Sequence, residues 1–219
     1  MKSVVLIVLF SMVLTSFLVA QEDSAKTLTR HVYVWGGSSY PYLPGVTKDI
    51  WKTGWNAGVG YGYSFSPGSI GYGEVFGTVE FSRFAFNETG YRNWLLPQYS
   101  SLNSSEIQTG GITARGAISN LTVFANFKGT FSASKHSIAP YFLIGIGYMH
   151  YSQDSIAIQD TLYAVHADSK SSFAWTVGIG IEAPITDEIT FFVQGKSVLG
   201  VFQEERQYFP LSGGFRIQF

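Results

Sequence analysis

Polar and apolar residues alternate along much of the chain, most sharply in its last eight residues. One face of this segment carries Phe215, Ile217 and Phe219, and the opposite face carries Ser212 and Arg216. A period of two residues is typical of a β-strand with one apolar and one polar face. Because chain termini are usually polar and frayed, an aromatic residue at the very end predicts a strand that is buried or faces lipid.

Seven more segments have a strand-like pattern, which makes eight in all. They are residues 28–37, 54–65, 71–86, 117–131, 138–151, 172–185 and 189–203. The clearest is 54–65, in which Trp55, Val59 and Tyr61 share one face and glycine, serine and asparagine share the other. In the third strand the alternation slips at Ser82, which predicts a β-bulge or the edge of a membrane there.

The connections between these strands alternate in length. Three are long and rich in polar and turn-forming residues, namely 38–53, 88–116 and 152–171. The others are short, and the first of them contains the turn-forming run 66–68. Long loops at one end and short turns at the other are typical of transmembrane β-barrels. An even number of strands places both chain termini at the end with the short turns.

Residue size decides which face of a barrel should point outward. The apolar faces carry large aromatic residues such as Trp55, Tyr61, Trp175 and Phe215, whereas the opposite faces are mostly small or polar. The interior of an eight-stranded barrel is narrow and just fills with side chains. We therefore expect the aromatic residues to face lipid and the small residues to fill the interior. A soluble lipocalin-like barrel would require the reverse.

The end of the chain resembles the C-terminal signal of bacterial outer-membrane β-barrels. The pattern is polar-x-Gly-x-x-apolar-x-aromatic, matched by Ser212, Gly214, Ile217 and Phe219. Taken as a whole, the chain resembles the small OmpA/OmpX-like outer-membrane β-barrel family. The resemblance implies an all-β, eight-stranded, antiparallel up-and-down transmembrane barrel with both termini in the periplasm. It also implies recognition by the barrel-assembly machinery, a monomer, and a surrounding of outer-membrane lipid and lipopolysaccharide.

The first twenty residues predict a secretory signal peptide. Lys2 provides the positive start, an apolar stretch covers 4–18, and Ala20 is the small residue before the cleavage site. We expect Sec-type export, cleavage of residues 1–20, a short periplasmic lead at 21–27 and a barrel over 28–219. An uncleaved anchor helix is the alternative, although the stretch is short of the roughly 20 apolar residues usual for one.

Composition narrows the function. Charged residues make up 13% of the chain and the formal net charge is −1, so no nucleic-acid partner is expected. The chain has no cysteine, which excludes a disulfide scaffold. After residue 20 no apolar run is long enough for a membrane helix, so any crossing must use strands. The histidines show no paired metal spacing, and no metal or cofactor is expected.

One short motif suggests an enzyme. His150 and Ser152 resemble the His-x-Ser of outer-membrane lipid A deacylases, in which the serine is the nucleophile and the histidine its base. In that family a glutamate about twelve residues further on orients the histidine, but Ala164 stands at the matching position here. We interpret the motif as interfacial residues at a strand end and keep the deacylase as an alternative.

Six charged residues fall on the inward faces of the predicted strands. Glu74, Lys128, Glu182 and Arg216 lie at similar distances from the periplasmic strand ends, which predicts one layer of two acids and two bases. Glu80 and Lys196 lie deeper and predict a second pair. Because a buried charge is costly unless it is paired, the hypothesis is an ionic plug. The alternative is six solvated charges in a water-filled lumen.

These patterns predict a non-enzymatic outer-membrane barrel with a structural or surface-binding role, such as adhesion. Binding to an unknown extracellular ligand would use the external loops 38–53, 88–116 and 152–171. A small pore of low conductance is the third hypothesis, because eight strands leave little open lumen.

Overall fold

The structure, a computed structural model, describes most of the segments that the sequence predicts to be strands. The described residues are 28–43, 47–68, 71–91, 93, 116–131, 137–155, 167–201 and 206–219. The predicted signal peptide 1–20 and the lead 21–27 lie outside the described residues. So does most of the predicted loop 88–116.

Eight antiparallel strands form a closed barrel. They are β1 (Thr29–Leu43), β2 (Gly54–Gly68), β3 (Gly71–Ala85), β4 (Ala117–Phe131), β5 (Ala139–Gln153), β6 (Asp168–Pro184), β7 (Ile189–Gly200) and β8 (Arg206–Gln218). Each strand pairs with the next along the chain, and β8 pairs with β1. A short helix, α1 (Thr47–Ile50), follows β1. The predicted eight-stranded, up-and-down antiparallel barrel is therefore confirmed.

The two ends of the barrel differ in their connections. At one end, here called the turn end, the connections span residues 69–70, 132–138 and 185–188. The start of β1 and the end of β8 also lie at the turn end. At the opposite end, here called the loop end, the connections span 44–53, 86–116, 154–167 and 201–205. Among the described residues, no α-helix is both long and apolar enough to cross a membrane.

Two of the predicted loops are shorter than the sequence suggested. The first six residues of 38–53 belong to β1, and the predicted loop 152–171 loses residues at both ends to β5 and β6. Backbone pairing continues there through residues such as Ser39, which pairs with Gly54, and Ser169, which pairs with Ser152. Polar residues occur on both faces of these strand ends, so the period-two signal that marks a strand fails although the ladder persists.

The predicted bulge in β3 is absent. The pairing of β3 with β4 runs without a shift from Gly71 opposite Phe131 to Ala85 opposite Ala117. Side chains keep alternating between the two faces through this region, but here a large apolar residue faces inward and a charged residue faces outward. Phe84 is buried inside the barrel, while its neighbours Arg83 and Ala85 point outward. The slip in the pattern therefore marks a change of surroundings near the loop end, not a change in backbone pairing.

The outward face carries large aromatic side chains, as predicted: Trp55, Tyr61 and Trp175 are 50%, 44% and 40% exposed. The expected small-residue interior is wrong, because large aromatic side chains also fill the lumen. Glycines on neighbouring strands make room for them: a Cβ atom placed on Gly58 would lie 2.3 Å from the ring of Trp35. One on Gly180 would lie 2.4 Å from the Tyr141 ring. Each of these two glycines thus accommodates an inward aromatic ring on the adjacent strand.

Candidate functional site

All six of the inward charges singled out in the sequence lie inside the barrel, and each is at least nine-tenths buried. They are Glu74, Glu80, Lys128, Glu182, Lys196 and Arg216. The structure separates them into a group of four toward the turn end and a single pair nearer the middle of the barrel.

The group of four, here called the ionic cluster, consists of Glu74, Lys128, Glu182 and Arg216. The ammonium of Lys128 lies 2.9 Å from Oε2 of Glu74 and 2.6 Å from Oε2 of Glu182. Arg216 donates through Nη1 to Oε1 of Glu74, and the same nitrogen lies 3.9 Å from Glu182. Glu74 therefore contacts both bases directly through separate oxygens, and it is the centre of the cluster.

Neutral side chains complete the hydrogen bonding around the ionic cluster. The hydroxyl of Tyr33 donates to Oε2 of Glu74. The guanidinium of Arg216 donates to the Tyr72 hydroxyl at 3.1 Å and to the Thr190 hydroxyl at 3.0 Å. Together with the ion pairs, these contacts involve six strands, so the cluster ties together distant parts of the barrel wall. Charge pairing together with hydrogen bonding offsets the free-energy cost of burying four charges.

The second pair joins Glu80 to Lys196, with 2.7 Å between Nζ and Oε2. The indole nitrogen of Trp35 donates to the same carboxylate oxygen at 2.8 Å, and the ammonium of Lys196 lies 5.6 Å from the Trp35 ring centroid. With this pair included, the six charges singled out in the sequence comprise three acids and three bases. The set is formally neutral, which lowers the cost of its burial.

Aromatic packing fills the space between the ionic cluster and the second pair. Six buried residues form it, namely Tyr33, Trp35, Phe76, Tyr141, Leu143 and Phe192. A cavity of about 20 Å³ remains among them and extends from Lys128 to Lys196. A water molecule needs roughly 10–15 Å³ by this measure, so the cavity has room for about one. Side chains therefore occupy nearly the whole cross-section at this level.

A larger apolar group, here called the loop-end cluster, fills the other half of the lumen. It comprises Trp51, Phe84, Phe86, Tyr91, Ile118, Phe124, Met149, Tyr151, Ala174, Val198 and Tyr208. Phe84 meets Tyr208 edge to face with centroids 5.8 Å apart, and the guanidinium of Arg206 lies 3.8 Å from the Tyr151 ring centroid. Sequence reasoning missed this cluster because Trp51 and Tyr91 lie in predicted loops, and inward residues such as Phe124 lie on faces that were expected to carry small or polar side chains.

Asn87 joins two connections at the loop end. Its side chain donates to the carbonyl of Asp49 at 2.9 Å and accepts from the backbone nitrogen of Gly90 at 3.3 Å. Its backbone nitrogen donates to the carbonyl of Ile50 at 2.7 Å. The segment after β1 and the segment after β3 are thereby held together over the loop-end cluster. Asn87 also begins an Asn-x-Thr triplet, the acceptor pattern for N-glycosylation, but its side-chain amide is already used in these contacts.

The C-terminal signal residues occupy both faces of β8. Ser212 and Gly214 point inward, whereas Ile217 and Phe219 point outward and Phe219 is 65% exposed. A Cβ atom on Gly214 would lie 2.2 Å from the carbonyl oxygen of Val34 on β1. The glycine of the motif is thus required for the close approach of the strands that complete the barrel.

Comparisons with known proteins agree with this architecture. Residues 10–195 match the family model described as the outer membrane protein beta-barrel domain. The chain belongs to this family. Its members' location in the bacterial outer membrane accounts for the exposed apolar side chains on the outward faces of β1–β8, which are transmembrane strands. The resemblance stated from the sequence is therefore confirmed.

Solved structures of small outer-membrane barrels resemble the fold. Neisserial surface protein A aligns with 11% identity and a TM-score of 0.47, covering 88% of this chain and 97% of that one. Ail of Yersinia pestis aligns with 13% identity and a TM-score of 0.43, covering 87% and 97%. The N-terminal barrel of Pseudomonas aeruginosa OprF aligns with 11% identity and a TM-score of 0.40, covering 87% and 97%. Among curated protein sequences, none matches significantly.

His150 and Ser152 are not arranged as the deacylase hypothesis requires. His150 points outward from β5, and its Nδ1 lies 2.8 Å from the Ser171 hydroxyl on β6. Its Nε2 lies 3.3 Å from the Ser169 hydroxyl. Both ring nitrogens are therefore engaged by serines of the neighbouring strand, and neither is engaged by Ser152. Among the described residues, no group of three or more acidic or histidine side chains could hold a metal ion.

Proposed function

We propose that the protein is a non-enzymatic outer-membrane barrel with a sealed lumen, which anchors surface loops that bind a ligand outside the cell. The loops are those predicted at 38–53, 88–116 and 152–171, with the strand ends at their bases. In this orientation the loop end faces outward and both termini are periplasmic.

The observation that carries the proposal is the packing of the lumen. The ionic cluster, the second pair and the loop-end cluster follow one another along the barrel, with a cavity of only about 20 Å³ between the first two. Such packing favours an anchor over the alternative of a small pore, because conduction requires a continuous path of water.

The geometry at the loop end supports a role in binding. Asn87 connects the bases of the first two loops, so these loops begin from one ordered platform. Tyr40 and Tyr42 lie at the end of β1 beside that platform and are 43% and 61% exposed. Exposed aromatic side chains with a polar tip suit recognition surfaces.

Bilayer conductance tests the seal. The purified wild-type barrel in a planar lipid bilayer should show no steady current, whereas Glu182→Ala should raise the current by leaving Lys128 with one acid and loosening the cluster. Glu188→Ala, at an exposed position of a turn-end connection, is the matched control and should behave as wild type. Steady conduction by the wild-type barrel would contradict a sealed lumen.

Protease treatment of whole cells tests the orientation. Cleavage is expected within 88–116 or 154–167 and not within the turn-end connections 69–70, 132–138 and 185–188. A surface pull-down should then compare the intact barrel with a variant whose 88–116 loop is shortened. A ligand that binds both equally does not use that loop, and turn-end cleavage in intact cells would invert the proposed topology.

The assembly signal and the deacylase alternative have separate tests. Phe219→Ser should lower the amount of folded barrel in the outer membrane, because we expect the assembly machinery to recognise the terminal strand.

Ser152→Ala should leave the acylation of lipid A unchanged, as measured by mass spectrometry. Loss of an acyl-removing activity in that variant would replace the non-enzymatic proposal.

A further inference from the structure

A band of polar side chains crosses the outward surface of four neighbouring strands near the loop end. Arg83 on β3 pairs in register with Ser119 on β4, Ser119 with Ser152 on β5, and Ser152 with Ser169 on β6. These four residues, here called the polar row, all point away from the lumen. With strands about 4.8 Å apart, the row spans roughly 14 Å of the barrel circumference.

The polar row marks the limit of the lipid-facing surface. Further toward the turn end on β4, β5 and β6, the outward residues include Leu121, Tyr148, Phe173 and Trp175, all large, apolar or aromatic, and exposed. Aromatic side chains at such a boundary are typical of the interface between hydrocarbon and headgroups. The row therefore lies at the level of lipid headgroups on the loop-end side of the membrane.

His150 lies between the polar row and this apolar surface. It pairs in register with Ser171, and its ring contacts the hydroxyls of Ser171 and Ser169 at 2.8 and 3.3 Å. In the imidazolium form both ring nitrogens donate, so each serine oxygen accepts a hydrogen bond from His150. Both serine hydroxyl protons then point away from the ring and can be donated to a shared acceptor outside the barrel.

The charges around His150 favour an anionic acceptor. Arg83 belongs to the polar row, two strands away, and adds positive charge at the same level. Asp154 lies further toward the loop end, where it accepts from the backbone nitrogen of Ala117 at 3.2 Å. On β6, Asp168 is paired with Lys170 at 2.8 Å. The two described carboxylates near His150 are therefore already engaged by donors.

We propose that His150, Ser169 and Ser171 form a binding site for a phosphate group of a glycolipid in the outer leaflet. Phosphate offers several oxygens to the two serine hydroxyls and carries the charge that complements an imidazolium. The aromatic side chains of Tyr148 and Phe173, next to the site on its turn-end side, would contact the acyl chains of the same lipid. The site rests on the proposed orientation, in which the loop end lies at the outer leaflet.

Native mass spectrometry of the barrel in dodecyl maltoside micelles tests the site. The folded protein is titrated with diphosphorylated lipid A and, separately, with lipid A from which both phosphates have been removed. Wild type should bind the phosphorylated lipid more tightly, and His150→Phe should weaken that binding about tenfold, because it removes the imidazolium charge and the ring that orients both serine hydroxyls. Ser171→Ala should weaken it by a smaller factor.

Ser172→Ala is the matched control, because the Ser172 hydroxyl donates to the backbone carbonyl of Phe173 at 3.0 Å and belongs to the other face of β6. This variant should bind as wild type does. Equal binding of both lipids by wild type would show contact with acyl chains only and would overturn the proposal, as would unchanged binding by His150→Phe. The detergent assay does not depend on topology, so a wrong orientation would appear only in the protease experiment on whole cells.

Discussion

The two halves of the lumen are filled by side chains of opposite chemistry, charged in one half and apolar in the other. Toward the turn end, Glu74 holds Lys128 and Arg216 by direct ion pairs, and Tyr33 donates a further hydrogen bond. Toward the loop end, the loop-end cluster packs rings and aliphatic side chains against one another. One half depends on the identity of each partner, because every buried charge needs its counter-charge, whereas the other depends on volume.

This difference predicts where the barrel tolerates change. Removing one member of a buried ion pair leaves an uncompensated charge, so the penalty is large and specific. Removing part of a buried ring leaves a cavity whose cost depends on how far its neighbours relax. We therefore expect substitutions in the ionic half to affect both stability and ion exclusion, and substitutions in the apolar half to affect mainly stability.

The largest effect is expected for Glu74→Ala. The side chain is fully buried, and its loss leaves Lys128 and Arg216 with Glu182 as their remaining acid. The free energy of unfolding should fall by about 3–5 kcal/mol, and bilayer conductance should rise. Urea titration of the barrel in lipid vesicles measures the first quantity, and single-channel recording measures the second.

Glu188→Ala again provides the control, since it removes a glutamate from an exposed connection at the same end of the barrel. A Glu74→Ala variant as stable and as non-conducting as Glu188→Ala would mean that the ionic half behaves as solvated charges in water. The comparison between the two halves would then fail at its first step.

A smaller loss of stability is expected for Phe124→Ala in the loop-end cluster. Phe124 is 2% exposed and faces inward from β4, so truncation leaves a cavity costing about 3 kcal/mol. Conductance should stay at the wild-type level, because the ionic cluster remains intact. Phe215→Ala, at an exposed lipid-facing position, is the control for loss of a ring. A current as large as that of Glu74→Ala would show that the apolar half is the actual seal.

The ionic half was the more predictable from the sequence. Charged residues are rare on the inward faces, and counting from the strand ends placed Glu74 and Lys128 at the same level, where they pair in register. Sequence could not reveal that Glu74 is the centre, because its contacts with Arg216 and Tyr33 cross the lumen between strands far apart in the chain.

The apolar half was not predictable by the same reasoning. The Phe124 ring fits inside the barrel because Gly147 stands opposite it on β5, and a period-two pattern within one strand does not report on its neighbour. Likewise, the sequence placed His150 beside Ser152, whereas inter-strand register places it against Ser171. In both cases the decisive information is the register between strands.

The smallest effects, and the sharpest comparison, come from removing one hydroxyl in each half. Tyr33 and Tyr208 are both buried tyrosines in the lumen. The Tyr33 hydroxyl donates to the charged Glu74. The Tyr208 hydroxyl, by contrast, has only the neutral hydroxyls of Ser82 and Thr122 as partners within the described part of the chain. Tyr33→Phe should therefore lower the free energy of unfolding by roughly 1.5–3 kcal/mol, the contribution of a hydrogen bond to a charged group. Tyr208→Phe should lower it by only about 0.5–1.5 kcal/mol, because the partners of its hydroxyl are neutral. Both substitutions delete one oxygen and keep the ring, so urea titration in vesicles isolates the hydroxyl. Equal losses in the two variants would mean that the halves do not differ in their need for specific polar partners.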